Sequence, residues 1–377
     1  MPSTTPSSSR TCPPSCGRGS CPRRPTCPPR ATEKIPTAAL APALLDYLRS
    51  ALPAATLDYA EPPTAISGGY DTRIFGFRLR GAPAAWSGPL VLRVLSPAQD
   101  PERALRERAI QNALAGLGYP VPRVLAARAD REPLGAGFLV MERAAGRPLL
   151  EARPWGVSAA LADMHLRLHA LDAEILLRAL DDEGRAAGGG FDRRAVALGT
   201  HLAALERRIG EGALPGLSSG LRWLLDHRPA GGASVICHGD FHPQNLLAVG
   251  GRVGAVLDWP NVLVADAECD VAATLVILRL TPIELFPVPS ALRPLLAGLR
   301  SVMTARYLAR YRRTRPLDAA RLAYYEAAGC MRGLVRAAEA RRAGSDNALD
   351  TSSFAERLAA RFTRVTGVAV TLPPARG

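Results

Sequence analysis

The stretch HGDFHPQN at residues 238–245 decides the fold, because it places two histidines, an aspartate and an asparagine between two apolar runs. ASVIC precedes it and LLAV follows it, and both runs are typical of buried strands. Further on, the run VGAVLDW follows the turn residues GGR, which predicts a hairpin. Such a hairpin would return Asp258 to the loop that carries Asp240 and Asn245.

These three side chains have the chemistry of phosphoryl transfer. The carboxylate of Asp258 and the amide oxygen of Asn245 are hard oxygen ligands, which suit Mg²⁺ bound together with phosphates. A second carboxylate, that of Asp240, can orient a hydroxyl group and accept its proton. The sequence therefore predicts a site for transferring a phosphoryl group.

The spacing H-x-D-x-x-x-x-N, followed by a hairpin and an aspartate, resembles that of protein-kinase-like folds. The variant HGD, HPQN and LDW is similar to the aminoglycoside phosphotransferase and choline kinase family of small-molecule phosphotransferases. The resemblance implies an α+β, bilobal protein-kinase-like fold with a small N-terminal β-sheet lobe and a larger, mainly helical C-terminal lobe. It implies that Asp240 is the catalytic base and that Asn245 and Asp258 hold magnesium, with Trp259 in the place of the protein-kinase Phe.

By the same resemblance, the sheet lobe should bind ATP. Gly68 and Gly69 lie between two strand candidates, where backbone amides could approach phosphates. The family usually has a Lys on the later strand LVLRVL to contact the α- and β-phosphates, but this chain has Arg93 there. The expected partner of Arg93 is Glu107, on a helix that begins at Pro101 with Asp100 as its N-cap.

The segment FLVMERAAGRP resembles the family's inter-lobe hinge, whose backbone contacts adenine at Met141, Glu142 and Arg143. ATP and Mg²⁺ are thus the cofactors that the resemblance implies. The chain has a single lysine, Lys34, which lies outside the sheet lobe. This excludes a P-loop ATPase, because the P-loop requires a lysine.

Two further motifs of the helical lobe also look familial. LADMHLRLHALD resembles the helix that ends in Leu-His, which implies that His169 is a structural histidine. ADAECDVA resembles the family's G-D-P-x-x-D-L-A, with Ala265 and Ala267 in place of Gly and Pro. The resemblance implies that Asp270 accepts backbone hydrogen bonds from the catalytic loop and that Asp266 helps to order the following turn.

Hydrophobic periodicity and turn residues predict the order of the elements. A leading helix and a lobe of strands around one helix are followed by an almost wholly helical region. The predicted strands are 72–80, 90–95, 121–125 and 137–142; the predicted helices are 37–52 and 101–118; the predicted domains are a disordered tail (1–36), an ATP-binding lobe (37–145) and a catalytic and acceptor-binding lobe (146–373).

Composition limits the alternatives. The net charge of the 377-residue chain is +13, but the first thirty residues contain five arginines and no acids, which leaves +8 for the rest. Since Arg is spread over every segment, we expect no dedicated nucleic-acid surface. No apolar run approaches the roughly 20 residues that span a bilayer, so no membrane association is expected. The N-terminal segment lacks the apolar region of a secretory signal, which favours a cytoplasmic protein.

The sequence thus predicts an ATP- and Mg²⁺-dependent phosphotransferase that acts on a hydroxyl group of a small molecule, as aminoglycoside and macrolide phosphotransferases do. Two alternatives stay open: a nucleotide-binding pseudokinase, suggested by Arg93, and a basic nucleic-acid-binding protein, suggested by the charge. A protein kinase is disfavoured, because the chain after Asp258 has no room for a long activation loop. No motif names the acceptor or the oligomeric state.

Overall fold

The structure is a computed structural model, which describes residues 37–54, 56–66, 72–97, 99–152, 156–232, 234–285, 289–343 and 352–374. The cysteine-rich segment 1–36 and the glycines Gly68 and Gly69 lie outside these residues, so the predictions made for them stay predictions. None of the helices in the described ranges combines the length and the hydrophobicity needed to cross a membrane.

The N-terminal part is a sheet lobe. Its five strands are antiparallel and lie in the order β1-β2-β3-β5-β4, with one helix before the sheet and one between β3 and β4. The elements are α1 (Thr37–Ala51), β1 (Asp58–Ala65), β2 (Thr72–Arg80), β3 (Leu90–Leu95), α2 (Arg103–Gly116), β4 (Val124–Arg128) and β5 (Phe138–Glu142).

One face of this sheet is covered by α1. Leu40, Leu44 and Leu48 recur every four residues, so they form one stripe of the helix, and all three are buried. They belong to the same core cluster as Phe75 and Phe77 of β2. Full burial of a Leu side chain stabilises a fold by about 1.5–3 kcal/mol, so this stripe is sufficient to fix α1 on the sheet.

The C-terminal part is mainly helical, with two small sheets whose strands lie at 147–148 and between residues 234 and 266. The helices are α3 (Leu149–Ala152), α4 (Val157–His169), α5 (Ala173–Ala186), α6 (Leu198–Glu211), α7 (Ser218–Asp226), α8 (Ala267–Leu280), α9 (Arg293–Thr314), α10 (Ala319–Ala343) and α11 (Ser352–Thr366); the strands are β6 (Arg147–Pro148), β7 (Ser234–Cys237), β8 (Leu246–Val249), β9 (Arg252–Val256) and β10 (Leu263–Asp266). The predicted α+β, bilobal fold is confirmed.

The strands that flank HGDFHPQN belong to different sheets. β7 pairs with β10, whereas β8 pairs with β6 and with β9. The predicted hairpin is confirmed, since β8 and β9 are antiparallel and are joined at Gly250 and Gly251 with φ of +55° and +77°. Positive φ at two successive glycines is typical of the tight turns that connect such strands. Residues 238–245, which we call the catalytic loop after the family resemblance, therefore connect the two small sheets.

Several boundaries differ from the prediction by one to three residues, and one strand was not predicted. The strand predicted at 121–125 lies at Val124–Arg128, and the helix predicted from Pro101 begins at Arg103. Asp100 still satisfies a free amide before that helix, because its Oδ1 accepts a hydrogen bond from the backbone N–H of Glu102 at 3.0 Å. β1 was not predicted: its sequence DYAEPPTA contains two prolines, which are tolerated because β1 is at the edge of the sheet.

Candidate active site

Asp270 holds the catalytic loop in place through hydrogen bonds. It lies near the start of α8 and is fully buried. Its carboxylate accepts hydrogen bonds from the backbone N–H groups of His238 at 2.7 Å and Gly239 at 2.8 Å. Each bond satisfies an amide that would otherwise be buried without a partner, at a cost of about 1–3 kcal/mol. Asp270 thus has the contacts that the sequence analysis expected.

Two histidines of α4 lie on the other side of Asp270. His169 Nε2 is 3.3 Å from Asp270 Oδ2, and His165 Nε2 is 2.9 Å from the same atom but outside hydrogen-bonding geometry. Each Nδ1 contacts a tyrosine hydroxyl of α9, that of Tyr307 at 2.7 Å and that of Tyr311 at 2.5 Å. Burial and the neighbouring charge of His165 lower the pKa of His169 to about 4, despite Asp270. Asp270, the two histidines and the two tyrosines therefore form a buried polar cluster that supports the loop.

The ligand atoms of His165, His169 and Asp270 lie within 4.8 Å of one another, a spacing that could also hold a metal ion. Asp270 already accepts two backbone amides, and both histidines have tyrosine partners on Nδ1. These contacts account for the cluster as a structural support.

His238 joins the loop to the end of β9. Its ring is buried, its Nε2 contacts the backbone oxygen of Leu257 at 2.9 Å, and it packs against Trp259 at a centroid distance of 4.4 Å. The indole Nε1–H of Trp259 donates to the backbone oxygen of Val256 at 2.9 Å. His238 therefore fixes the distance between the loop and the residue that precedes Asp258.

Asp240 is half-buried at the surface of this loop. Its Oδ1 lies 3.7 Å from His242 Nε2. Burial raises the pKa of its carboxyl, but the nearby imidazole of His242, followed by the charges of Arg332 and His238, outweighs burial and lowers the pKa to about 2. Asp240 is consequently a carboxylate throughout the physiological range.

Asn245 connects Asp240 to the hairpin. Its Nδ2 donates to the backbone oxygen of Asp240 at 3.0 Å, and its own backbone oxygen accepts from the N–H of Leu257 at 2.8 Å. The side-chain amide nitrogen is thus used by the loop, while the amide oxygen has no partner among the described residues. Asp258 follows with φ of +67°, a conformation that Asp adopts more readily than most residues.

Arg93 is the residue of the sheet lobe that reaches this centre. It is buried, its Nη1 donates to Glu107 Oε2 at 2.9 Å, and its Nη2 lies 3.5 Å from Asp258 Oδ1. Glu107 is held by a second cation, because Arg103 Nε donates to Oε1 at 3.0 Å. The Nε of Arg93 is buried and has no hydrogen-bond partner among the described residues. The structure thus brings Arg93 to Glu107, the partner that the sequence analysis expected, and also to Asp258, a contact that it did not predict.

The predicted hinge follows β5. Met141 is buried, whereas the backbone N–H groups of Glu142 and Arg143 already donate to backbone carbonyls of the sheet lobe at 3.0 and 2.9 Å. The next N–H, that of Ala144, makes no hydrogen bond with any described residue. A cavity of about 500 Å³ adjoins this segment, and Glu142, Arg143 and Ala144 contribute to its lining. The backbone N–H of Ala144 is therefore available to donate a hydrogen bond to a ligand, one residue beyond the segment that was predicted to contact adenine.

One expectation for the helical lobe was wrong in its detail. Asp266 makes no side-chain cap to the turn that begins α8. Instead, its Oδ2 accepts hydrogen bonds from Arg321 Nη1 at 2.6 Å and from the hydroxyl of Tyr325 at 2.8 Å, both on α10. Asp266, the last residue of β10, fixes the start of α8 to α10, because a buried carboxylate takes the strongest donors within reach.

The sequence analysis did not assign a role to two residues that lie close to the catalytic loop, Arg332 and His165. Arg332 donates from Nη2 to the backbone oxygen of Gly239 at 2.6 Å, and His165 lies beneath the loop. The spacing of His165 and His169, four apart in an apolar helix, was the only local signal for the histidine. Arg332 comes from a distant helix, so no local pattern could indicate its place.

The sheet lobe contains a buried Arg–Glu ion pair, and the helical lobe contains the H-x-D-x-x-x-x-N loop. Together these features define a protein-kinase-like protein. The chain belongs to the phosphotransferase enzyme family, whose family model matches residues 63–317.

Solved structures show the same fold. A Ralstonia eutropha JMP134 protein assigned to the aminoglycoside phosphotransferases matches with a TM-score of 0.58 and 20% identity, covering 88% of this chain and 99% of that chain. A mutant of aminoglycoside phosphotransferase APH(4)-Ia, in ternary complex with AMP-PNP and hygromycin B, matches with a TM-score of 0.56 and 18% identity over 86% of this chain and 98% of its own.

Curated relatives match a smaller part of the chain. Acyl-CoA dehydrogenase family member 11 of Pongo abelii is 29% identical over 180 residues, and acyl-CoA dehydrogenase family member 10 of Mus musculus is 31% identical over 177 residues; each match covers 44% of this chain. The matches span 22% and 16% of those relatives, so the chain corresponds to about a fifth of their length.

Proposed function

We propose that this protein transfers the γ-phosphoryl group of ATP, in the presence of Mg²⁺, to a hydroxyl group of a small molecule. The observation that carries the proposal is the position of Arg93, which contacts both Glu107 of the sheet lobe and Asp258 beside the catalytic loop. Membership of the phosphotransferase enzyme family supports the reaction type.

Arg93 has the properties of a phosphate-binding residue. Its guanidinium is always charged and is oriented by Glu107, and its buried Nε–H has no hydrogen-bond partner within the part of the chain that the structure describes. A buried donor without a partner is costly, and a phosphate oxygen is the acceptor that best matches a guanidinium. Arg93 would therefore hold the nucleotide phosphates in the place where the family usually has Lys.

The donor set at the loop fits magnesium. Asp258 offers a carboxylate that is 43% exposed and has a single partner at 3.5 Å, and Asn245 offers an amide oxygen without a partner in the described chain. Both are oxygen ligands of the kind that Mg²⁺ takes together with phosphates. When bound, the metal would neutralise charge that develops on the phosphates.

Asp240 would orient the acceptor hydroxyl and receive its proton. With a pKa of about 2 it is a weak base, so it cannot ionise the hydroxyl before the reaction starts. This suits a loose transition state, in which the bond to the nucleophile forms late and positioning contributes more than base strength.

The acceptor is the open part of the proposal. Some neighbours of known structure are aminoglycoside phosphotransferases, and one of them binds hygromycin B, but they share under 25% identity with this chain. The curated relatives carry the name acyl-CoA dehydrogenase. Their names make hydroxyacyl thioesters of coenzyme A a second class of acceptor to test beside aminoglycosides, macrolides and hydroxy acids.

The test is an acceptor screen with purified full-length protein, ATP and Mg²⁺, in which ADP release and ³²P transfer are measured together. We expect transfer to at least one hydroxyl compound, and a loss of roughly 10²- to 10⁴-fold in turnover for Asp240→Asn without loss of ATP binding. If the protein binds ATP but neither phosphorylates an acceptor nor hydrolyses ATP, the proposal fails and a nucleotide-binding pseudokinase takes its place.

A further inference from the structure

Arg332 lies on α10 and reaches the catalytic loop from the helical lobe. Its Nη2 donates to the backbone oxygen of Gly239, the residue before Asp240, at 2.6 Å. The side chain is half-buried, and one of the five N–H donors of the guanidinium is used in this bond. A permanent positive charge is thus fixed beside the proposed catalytic carboxylate.

Among the described residues, no carboxylate forms an ion pair with this charge, and the carboxylate whose pKa it lowers is that of Asp240. By contrast, Arg321 of α10 pairs with Asp266 at 2.6 Å, and Arg361 of α11 pairs with Glu326 of α10 at 2.5 Å. No carboxylate of the described residues lies within 4.0 Å of the guanidinium of Arg332, although the residue is only partly exposed. A partly desolvated guanidinium without a carboxylate partner favours an anion from outside the chain.

Arg332 also reaches the loop from a different part of the fold than the residues proposed to bind the nucleotide. Arg93 and Asp258 approach the loop from the sheet lobe and the hairpin, whereas α10 packs against α6, α7, α8 and α11 of the helical lobe. On α6, burial and then the charge of Arg332 lower the pKa of His201 to about 4, so His201 is neutral at pH 7. The surroundings of Arg332 therefore contain an uncharged histidine and the carboxylate of Asp240, which in the proposed function orients the acceptor hydroxyl.

An acceptor rich in ammonium groups does not suit this environment, because a cation close to Arg332 would be repelled. We propose that Arg332 binds an anionic oxygen group, a carboxylate or a phosphate, on the hydroxyl compound that accepts the phosphoryl group. The inference rests on the proposed function and names the substrate class: a hydroxylated small acid or phosphate ester, not a polycationic antibiotic.

The experiment compares matched acceptors that differ only in charge. Hydroxy carboxylates are assayed beside their carboxamides, and sugar phosphates beside the free sugars, with the wild type and with Arg332→Gln, which keeps a donor for Gly239 but removes the charge. We expect the wild type to prefer the anionic member of one pair by about 10- to 100-fold in kcat/KM, and Arg332→Gln to lose that preference, mainly through KM. The pair that responds tells carboxylate from phosphate.

Two further variants separate recognition from folding. Arg332→Lys keeps the charge without the planar fork, so it should retain part of the preference. Arg342→Gln is the matched control: Arg342 lies ten residues further along α10, and it too has one hydrogen bond to a backbone carbonyl, that of Ala213 at 3.4 Å. It should leave the preference and the turnover unchanged. Equal use of both acceptors by the wild type, or an unchanged ratio in Arg332→Gln, would overturn the inference.

A turnover-free measurement keeps this inference distinct from the proposed function. Protein saturated with Mg²⁺ and AMP-PNP is titrated with inorganic phosphate and with acetate by calorimetry. The inference expects binding of one anion by the wild type that is weakened about tenfold or more in Arg332→Gln and unchanged in Arg342→Gln. If that holds while no acceptor is phosphorylated, the anion site stands and the proposed function fails; if the three proteins bind alike, the anion site is wrong whatever the kinase assay gives.

Discussion

Arg93 Nη2 lies 3.5 Å from Asp258 Oδ1, which joins a strand of the sheet lobe to the hairpin beside the catalytic loop. The same guanidinium is bonded to Glu107 at 2.9 Å, and Glu107 is 1% exposed. A residue with two acidic partners holds its place without ligand. Because one partner belongs to each side of the centre, we expect Arg93 to connect nucleotide binding to the geometry of the proposed metal ligands.

Arg93→Ala should therefore damage both stability and nucleotide binding. Glu107 would stay buried with Arg103 as its remaining partner, at a cost of up to about 3–5 kcal/mol in the free energy of unfolding. Affinity for ATP or turnover should fall about tenfold or more, and Arg93→Lys should retain part of the activity. Urea unfolding and nucleotide titration measure the two effects. Arg80→Ala, an exposed arginine of the same sheet, is the control, and equal ATP kinetics in Arg93→Ala and Arg80→Ala would show that Arg93 does not contact the phosphates.

Gly239 tests how tightly the loop is held. Its φ is +76°, and a Cβ at this position would lie 2.4 Å from the backbone oxygen of Asn261. Gly239→Ala should shift the loop, lower the melting temperature and abolish most turnover. Gly118→Ala is the matched control, with φ of +74° and open space around the position, so it should cost only the backbone strain of about 1–2 kcal/mol. Equal losses of stability in both variants would mean that the contact with Asn261 does not constrain the loop.

An element was predicted accurately where the residues that specify it lie close together in the sequence. β2 and β3 were predicted to the residue, because alternating apolar positions specify a strand directly. β1 was missed, since Pro62 and Pro63 are tolerated only at a sheet edge, and the edge is a tertiary property. The catalytic loop was predicted because its side chains lie within one short motif.

The acceptor side was not predictable in the same way. Arg332 follows Gly239 by 93 residues, and its place beside the loop results from the packing of α10 in the helical lobe. Neither its spacing nor its apolar neighbours in the sequence mark it as part of a site. The residues that would select the acceptor are therefore the ones that only the assembled fold brings together.

The buried His169 predicts a loss of stability in mild acid. Burial, together with the charge of His165, lowers its pKa to about 4, below the value near 6.5 expected in the unfolded chain. The unfolded state therefore binds more protons between these values, so stability is full above about pH 6.5 and declines as pH falls toward 4. The limiting slope is about 1.4 kcal/mol per pH unit for one such group.

Unfolding free energies at a series of pH values check this. His169→Gln should reduce the slope between pH 6.5 and 4.5, whatever it does to absolute stability at pH 7. His227→Gln is the control, because His227 is exposed at the end of α7, and its slope should match the wild type. An unchanged slope in His169→Gln would mean that other groups carry the acid sensitivity.

The metal ligands and the base should fail in different ways when they are replaced. Asp258→Ala removes a carboxylate, so it should abolish turnover and remove the Mg²⁺ dependence of nucleotide binding. Asn245→Ala removes a neutral ligand, so it should raise the Mg²⁺ concentration required more mildly. Asp240→Asn keeps the shape of the side chain and both proposed ligands, so nucleotide affinity and its Mg²⁺ dependence should be retained while turnover falls.

Nucleotide affinity measured by calorimetry across a Mg²⁺ series, beside turnover, separates these outcomes. Asn245 also holds the loop through its Nδ2 bond to the backbone of Asp240 at 3.0 Å, so Asn245→Asp keeps an oxygen ligand and shows whether the loss comes from the metal or from the loop. Asp182→Ala, which removes an exposed carboxylate of α5, should change neither measurement. If Asp258→Ala retains a wild-type Mg²⁺ response, the metal is held elsewhere; if Asp240→Asn retains full turnover, Asp240 does not receive the proton, and the proposed assignment of the catalytic loop is wrong.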